Sequence, residues 1–205
     1  MPQASDSYHH GDLRAACLRA ARELLEEDGS AGLSLRAVAR RAGVSATAPY
    51  RHYADRDALV SAVAAEGYRE LGGYLAAAHS ATPDDLAAVA VAYVRFALDH
   101  PAMFRVMFAE PCDPNSEERV AATAALSEYV RGIVRSAFPG ADPEVLATPV
   151  WALVHGLAFL HLDGKLDTST AEVVAHQVRT AVHALLATSP VTSKAAAAAP
   201  EQAKA

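Results

Sequence analysis

The chain is 205 residues long, 52% hydrophobic, 20% charged and 6% aromatic, enough apolar material to bury a core, which excludes a wholly disordered polymer. Its formal charge of −6 excludes a globally basic protein that binds polyanions indiscriminately, but leaves room for a local basic patch. Its 48 alanines favour helix, because alanine loses no side-chain entropy on entering one, so an all-α chain of one or two domains is expected.

In chain order, the first periodic segment runs from Tyr8 to Asp28, with Leu13, Cys17, Ala20 and Leu24 on one helical face and Gly29 as its stop. Ser34 is the expected N-cap of a short helix from Leu35 to Ala42, which leaves through Gly43. A further short helix is predicted from Ala46 to Tyr53. Asp55 caps a long helix reaching His79, with Leu59, Val63, Gly67, Leu71 and Leu75 on its inner stripe. Gly67, Gly72 and Gly73 inside it mark either close packing or a bend. Thr82-Pro83-Asp84-Asp85 opens the next helix, which ends near His100. Pro101 leads into an apolar turn or short helix, Met103 to Phe108, and Pro111 to Asn115 is a loop. A helix from Ser116 to Ala137 stops at Pro139-Gly140. Asp142-Pro143 caps an apolar helix ended by Asp163-Gly164, and Ser169 with Glu172 forms a capping box for the last helix, to Leu186. Nine helices and no strand are predicted.

Cys17 and Cys112 form neither a metal-like spacing nor a disulfide framework, as suits a reducing cytoplasm. Residues Met1 to Asp12 have no apolar leader core. No metal site and no cofactor are expected. Val145 to Leu162 runs eighteen residues without a formal charge, close to a membrane span. It contains Thr148, Pro149, His155 and His161, however, and is read as a helix buried on two sides of a soluble assembly, with no membrane partner.

Residues 34 to 56 carry five arginines (Arg36, Arg40, Arg41, Arg51, Arg56) against Asp55, a net of +4 in a chain of −6, so the remainder carries −10. A compact positive face on an acidic body attaches to a polyanion in one orientation. Helix, glycine turn and helix have the length of a helix-turn-helix. Leu35, Val38, Ala39 and Val44 pack it, while Thr47, Ala48, Arg51 and His52 point outward. Small residues allow close approach to base edges, Thr47 donates, accepts or touches a thymine methyl, and Arg51 takes guanine bidentately or holds a phosphate. Tyr50 and Tyr53 present hydroxyls to phosphates, and Arg56 is placed for a backbone contact. Ser34, Arg36 and Ser45 complete the expected DNA-binding set. The plain alternative is that these arginines only solvate a helix surface.

The run from Leu33 to Leu59, LSLRAVARRAGVSATAPYRHYADRDAL, resembles the DNA-binding domain of TetR-family transcriptional regulators, over about residues 8 to 60. The resemblance implies that Thr47 reads bases, that Tyr50 touches phosphate and that Arg56 stands for the family's usual lysine. It departs at Pro49, which removes a backbone donor inside the recognition helix, and at Tyr53, where phenylalanine is commoner. Trp151, His155 and Gly156 are similar to the subgroup with a Trp-His-Gly C-terminal signature. The expected domains are an arm (1–7), the helix-turn-helix domain (8–54), a ligand-binding and dimerisation domain (55–188) and a disordered tail (189–205) rich in Ala, Pro and Lys.

In the larger domain, Val150, Leu153, Leu157 and Leu160 of the apolar helix and Val174, Val178, Ala181 and Leu185 of the last helix are expected to meet a second copy in a four-helix bundle, making a homodimer. Tyr93, Phe96, Met103, Phe104, Met107, Phe108, Trp151, His155 and Phe159 either line a cavity for a small-molecule effector or simply fill the core. No nucleophile elbow, zinc-binding His-Glu-x-x-His or converging carboxylate pair occurs, so no enzyme is expected. The expected function is a ligand-responsive repressor binding an inverted-repeat DNA operator. The rival is a helical protein–protein interaction module.

Overall fold

The computed structural model describes residues 10–81, 86–138 and 142–188. Among these, every regular element is helical. The eight α-helices are α1 (His10–Asp28), α2 (Leu35–Arg41), α3 (Arg56–Ala81), α4 (Leu86–Asp99), α5 (Pro101–Phe108), α6 (Glu117–Ala137), α7 (Pro143–Leu162) and α8 (Ala171–Thr188). Two 3₁₀ turns, Ser30–Gly32 and Pro49–Arg51, join them. The expected arm, the tail, Tyr8, the Thr82–Asp85 cap and the Pro139-Gly140 stop lie outside the described residues.

The expected nine helices become eight because the segment from Ala46 to Tyr53 is not an α-helix. Pro49 has no N–H to give an α-helical ladder, and the chain closes tighter bonds around it. Ala48 N–H donates to Ser45 O (2.9 Å), Arg51 N–H to Ala48 O (3.2 Å) and His52 N–H to Pro49 O (2.9 Å), the i to i+3 pattern of a 3₁₀ turn. The last cap also differs. α8 is capped by Thr170, whose hydroxyl accepts from Val173 N–H at 3.2 Å, while the Ser169 N–H donates to the Asp167 carboxylate at 2.8 Å. The other caps follow local chemistry as expected. Ser34 accepts from Ala37 N–H at 3.2 Å, Asp55 from Ala58 N–H at 2.9 Å and Asp142 from Glu144 N–H at 2.9 Å.

The chain forms two compact units. The first comprises the described residues up to Glu70 together with His100–Ala124; the second comprises Leu71–Asp99 and the described residues from Ala125 onward. The division falls inside α3, and α5 with the start of α6 belongs to the N-terminal unit. In the first unit α1 packs against α2, α5 and both 3₁₀ turns, burying Cys17, Leu25, Leu33, Val38, Leu59 and Val63. A close approach between helices is at Gly67 on α3. A Cβ there would lie 2.6 Å from the Met107 sulfur and 2.8 Å from that of Met103, so α5 sits against bare backbone. In the second unit α4 packs on α7 and α8, which pack on each other. Phe96, Val94, Leu71, Leu75, Ala158 and Val178 are buried there.

Gly72 and Gly73 have nothing within 4 Å of a built Cβ, so close packing explains Gly67 alone. Gly72→Ala should stabilise the protein by up to about 1 kcal/mol through helix propensity. Gly67→Leu should destabilise by about 1–3 kcal/mol through overpacking against two methionines. Chemical denaturation of the two variants checks the opposite signs.

Candidate nucleic-acid interface

The turn between α2 and the 3₁₀ element is set by Gly43 at φ 69°, a left-handed conformation natural to glycine. Its N–H reaches Arg40 O (3.3 Å) and that of Val44 reaches Ala39 O (3.0 Å), ending α2 and reversing the chain. Leu35, Val38 and Ala39 are buried beneath. Above them Ser45, Thr47, Tyr50, Arg51 and His52 are exposed, Ala48 is half-buried, and Pro49 is buried. Tyr50 is 52% exposed. The hydroxyls of Ser45 and Thr47 lie 3.4 Å apart.

The arginines divide into two groups. Arg36, Arg40 and Arg51 are exposed and, among the described residues, carry no ion pair. Arg41 is bound by the α1 carboxylates, Glu27 at 3.0 Å and Glu23 at 3.3 Å. That pairing holds the Glu27 carboxyl below its ordinary range. Arg56, expected at a DNA backbone contact, is engaged within the chain. Its guanidinium donates to Leu33 O at 3.2 Å and Ser30 O at 3.0 Å, and reaches Glu110 at 3.4 Å.

Tyr53 is also corrected. It is 3% exposed and its hydroxyl is enclosed without a hydrogen-bond partner. Its burial in the core pushes the hydroxyl's pKa up. Ser34 spends its lone pair on the α2 cap. Composition had no means of finding Glu110 or Glu118. Glu118 holds both Arg14 and Arg69, and Arg22 holds Glu70 at 2.9 Å.

The nine residues named for an effector cavity separate by unit. Met103, Phe104 and Met107 are buried in the first, where Tyr68 donates to Met107 O at 2.7 Å and stacks edge-on to Phe108 at 5.4 Å. Burial pushes the Tyr68 pKa up to about 12. Phe96, Tyr93, Trp151, His155 and Phe159 lie in the second. The Tyr93 hydroxyl is 3.0 Å from His155 Nδ1, and His155 lies between Trp151 (5.1 Å) and Phe159 (5.0 Å) on successive turns of α7. Burial lowers its pKa, favouring neutral imidazole.

Of the residues expected at a dimer contact, Val174 and Val178 fill the second unit's own core rather than its surface. Val150, Leu153, Leu157, Ala181 and Leu185 are half-buried. Leu160 is 45% exposed, alongside exposed Val145, Ala152 and Gly156 on the same side of α7. α7 is the one described helix long and apolar enough to cross a membrane, and 22% of its apolar window is buried.

A glycine turn joining two short elements, with unpaired exposed arginines beside it, defines a helix-turn-helix regulator. Comparisons with known proteins agree. Residues 18–63 match the family described as bacterial regulatory proteins, tetR family, and residues 86–185 match the tetracyclin repressor-like C-terminal domain. The chain belongs to the TetR family of transcriptional regulators. It is 32% identical over 104 residues to the HTH-type transcriptional regulator Rv1816 of Mycobacterium tuberculosis (strain ATCC 25618 / H37Rv), a match spanning 48% of this chain and 44% of that relative's length. A solved protein of unknown function from Rhodococcus sp. RHA1 is 36% identical, with a TM-score of 0.71 over 86% of this chain and 97% of that one. The TetR family transcriptional regulator PfmR from Thermus thermophilus is 20% identical, with a TM-score of 0.58 over 80% of this chain and 94% of its own, and shares the fold.

His161 on α7 is 2% exposed, and neither ring nitrogen has a hydrogen-bond partner. Burial lowers its pKa below the ordinary 6.5, partly opposed by Asp167. The unfolded chain then binds this proton more readily than the native one, so stability is full above the ordinary pKa and falls as pH drops below it. The thermal midpoint should fall between about pH 7.5 and about pH 5.5. His161→Phe should flatten that dependence, as differential scanning fluorimetry across the range will register.

Proposed function

We propose that the protein is a ligand-responsive transcriptional repressor that binds an inverted-repeat DNA operator as a homodimer in the cytoplasm. The observation that carries this reading is the exposure of Arg36, Arg40 and Arg51 without carboxylate partners, beside the exposed Thr47, Tyr50 and His52. Phosphates take the arginines and the Tyr50 hydroxyl, with Ser34 and Ser45 assisting, while Thr47 and Arg51 read base edges and Ala48 permits close approach. Two such turns related by a two-fold axis enter successive major grooves about 34–36 Å apart. This accounts for the expected operator symmetry.

The second copy docks on the outward side of α7, where Ala152 and Gly156 let a helix approach between Val145 and Leu160. An apolar face of this kind is otherwise left in water. The effector is a small molecule anchored by the Tyr93–His155 pair and flanked by Trp151 and Phe159. It lowers DNA affinity through its preference for one arrangement of α3, the helix that begins at the DNA-reading turn.

Anisotropy titration with DNA flanking the gene tests the function: sequence-selective binding that weakens steeply with salt is expected. Arg51→Ala should cost about 1–3 kcal/mol and relax preference at one base pair per half-site; unchanged affinity and preference would remove Arg51 from the contact. Leu160→Lys should convert the dimer to a folded monomer in sedimentation velocity, since the side chain is already exposed in the single chain. A persistent dimer would place the interface elsewhere.

A further inference from the structure

Arg56 lies five residues beyond the exposed Arg51 and against the carbonyls of Ser30 and Leu33, the segment leading into the start of α2, where Ser34 and Arg36 are exposed. Its side chain is still 37% exposed. Beside those two carbonyls it also meets an acid, Glu110, from 54 residues further along the chain. One Glu110 carboxylate oxygen accepts from Ser30 Oγ at 2.6 Å and the other faces Arg56 at 3.4 Å. Glu110 is itself fixed at the end of α5, where its N–H donates to Arg105 O at 3.2 Å. The acid therefore grips Ser30 firmly and Arg56 loosely.

We propose that Glu110 is a tethered stand-in for a DNA phosphate, which keeps Arg56 out of the operator contact and so limits the number of phosphates the protein neutralises. A guanidinium N–H donates to a carboxylate oxygen and to a phosphate oxygen alike. The tethered carboxylate is present at high effective concentration before DNA arrives. Removing its charge adds a phosphate contact. A purely structural Glu110 would do the opposite, since loss of the Ser30–Glu110–Arg56 link would loosen the turn and weaken binding. The proposal rests on the reading of this unit as the DNA-binding surface.

The test needs no operator. Full-length wild type, Glu110→Gln, Arg56→Ala and the double variant are titrated with a random-sequence duplex over a range of salt concentrations, with anisotropy as readout. Glutamine retains an oxygen for Ser30 Oγ, and Glu110→Ala repeats the test with no side-chain acceptor for Arg56. Both Glu110 variants should bind several-fold tighter at low salt, with a log–log salt slope steeper by about 0.9. Arg56→Ala alone should keep the wild-type slope, and the double variant should lose the increment. A wild-type slope in both Glu110 variants overturns the proposal, as does an increment that survives in the double variant. Salt-independent or absent binding by all five proteins would overturn the DNA-binding reading, and the proposal with it.

Discussion

A cationic face can persist on an acidic chain only if the carboxylates around it are committed to other cations, because an uncommitted acid within a few ångströms would take the guanidinium meant for a phosphate. The first unit is organised around that constraint. Glu118 is shared by Arg14 and Arg69, Arg22 holds Glu70, and Arg41 holds Glu23 and Glu27. Exposed pairs of this kind each contribute little to stability. Their consequence is the placement of charge: Arg36, Arg40 and Arg51 are left exposed for a polyanion. The net of +4 counted along residues 34 to 56 therefore overstates the basic face, since two of its five arginines already have acidic partners.

Pro49 shapes the element those arginines surround. With its ring buried and no N–H to donate, it closes the chain into a 3₁₀ turn. Tyr50, Arg51 and His52 are exposed in succession, and Tyr53, whose N–H donates to Pro49 O at 3.0 Å, turns inward to the buried side of Pro49, where its hydroxyl is shut away from water. The element is thus short, and the fixed φ of its proline shapes it.

The second unit presents a different economy. α7 is apolar on all sides, but α4 and α8 cover only the side carrying Leu146, Val154, Ala158 and His161. On that buried side lies an imidazole, His161, neither of whose ring nitrogens has a hydrogen-bond partner. On the open side Val145 and Leu160 remain in water. Aromatic rings at Trp151, His155 and Phe159, one helical turn apart, line an intermediate flank with Tyr93.

Features decided by near neighbours in the chain were legible from residue order alone. The all-helical class, the Ser34, Asp55 and Asp142 caps, the Gly43 turn and the outward Thr47 and Arg51 follow from side-chain bonds and turn geometry within a few positions. The basic segment was legible too, because charge can be counted. Other features depended on contacts between residues far apart in sequence. Only the fold showed that Gly67 answers to two methionines on α5, that Val174 and Val178 belong to an internal core, and that Tyr53 is sealed. The same holds for Arg56, whose charge is evident in the sequence while its partner, Glu110, is brought to it by packing. A residue's identity sets which bonds it is able to make, whereas its availability depends on what the rest of the chain has already placed beside it.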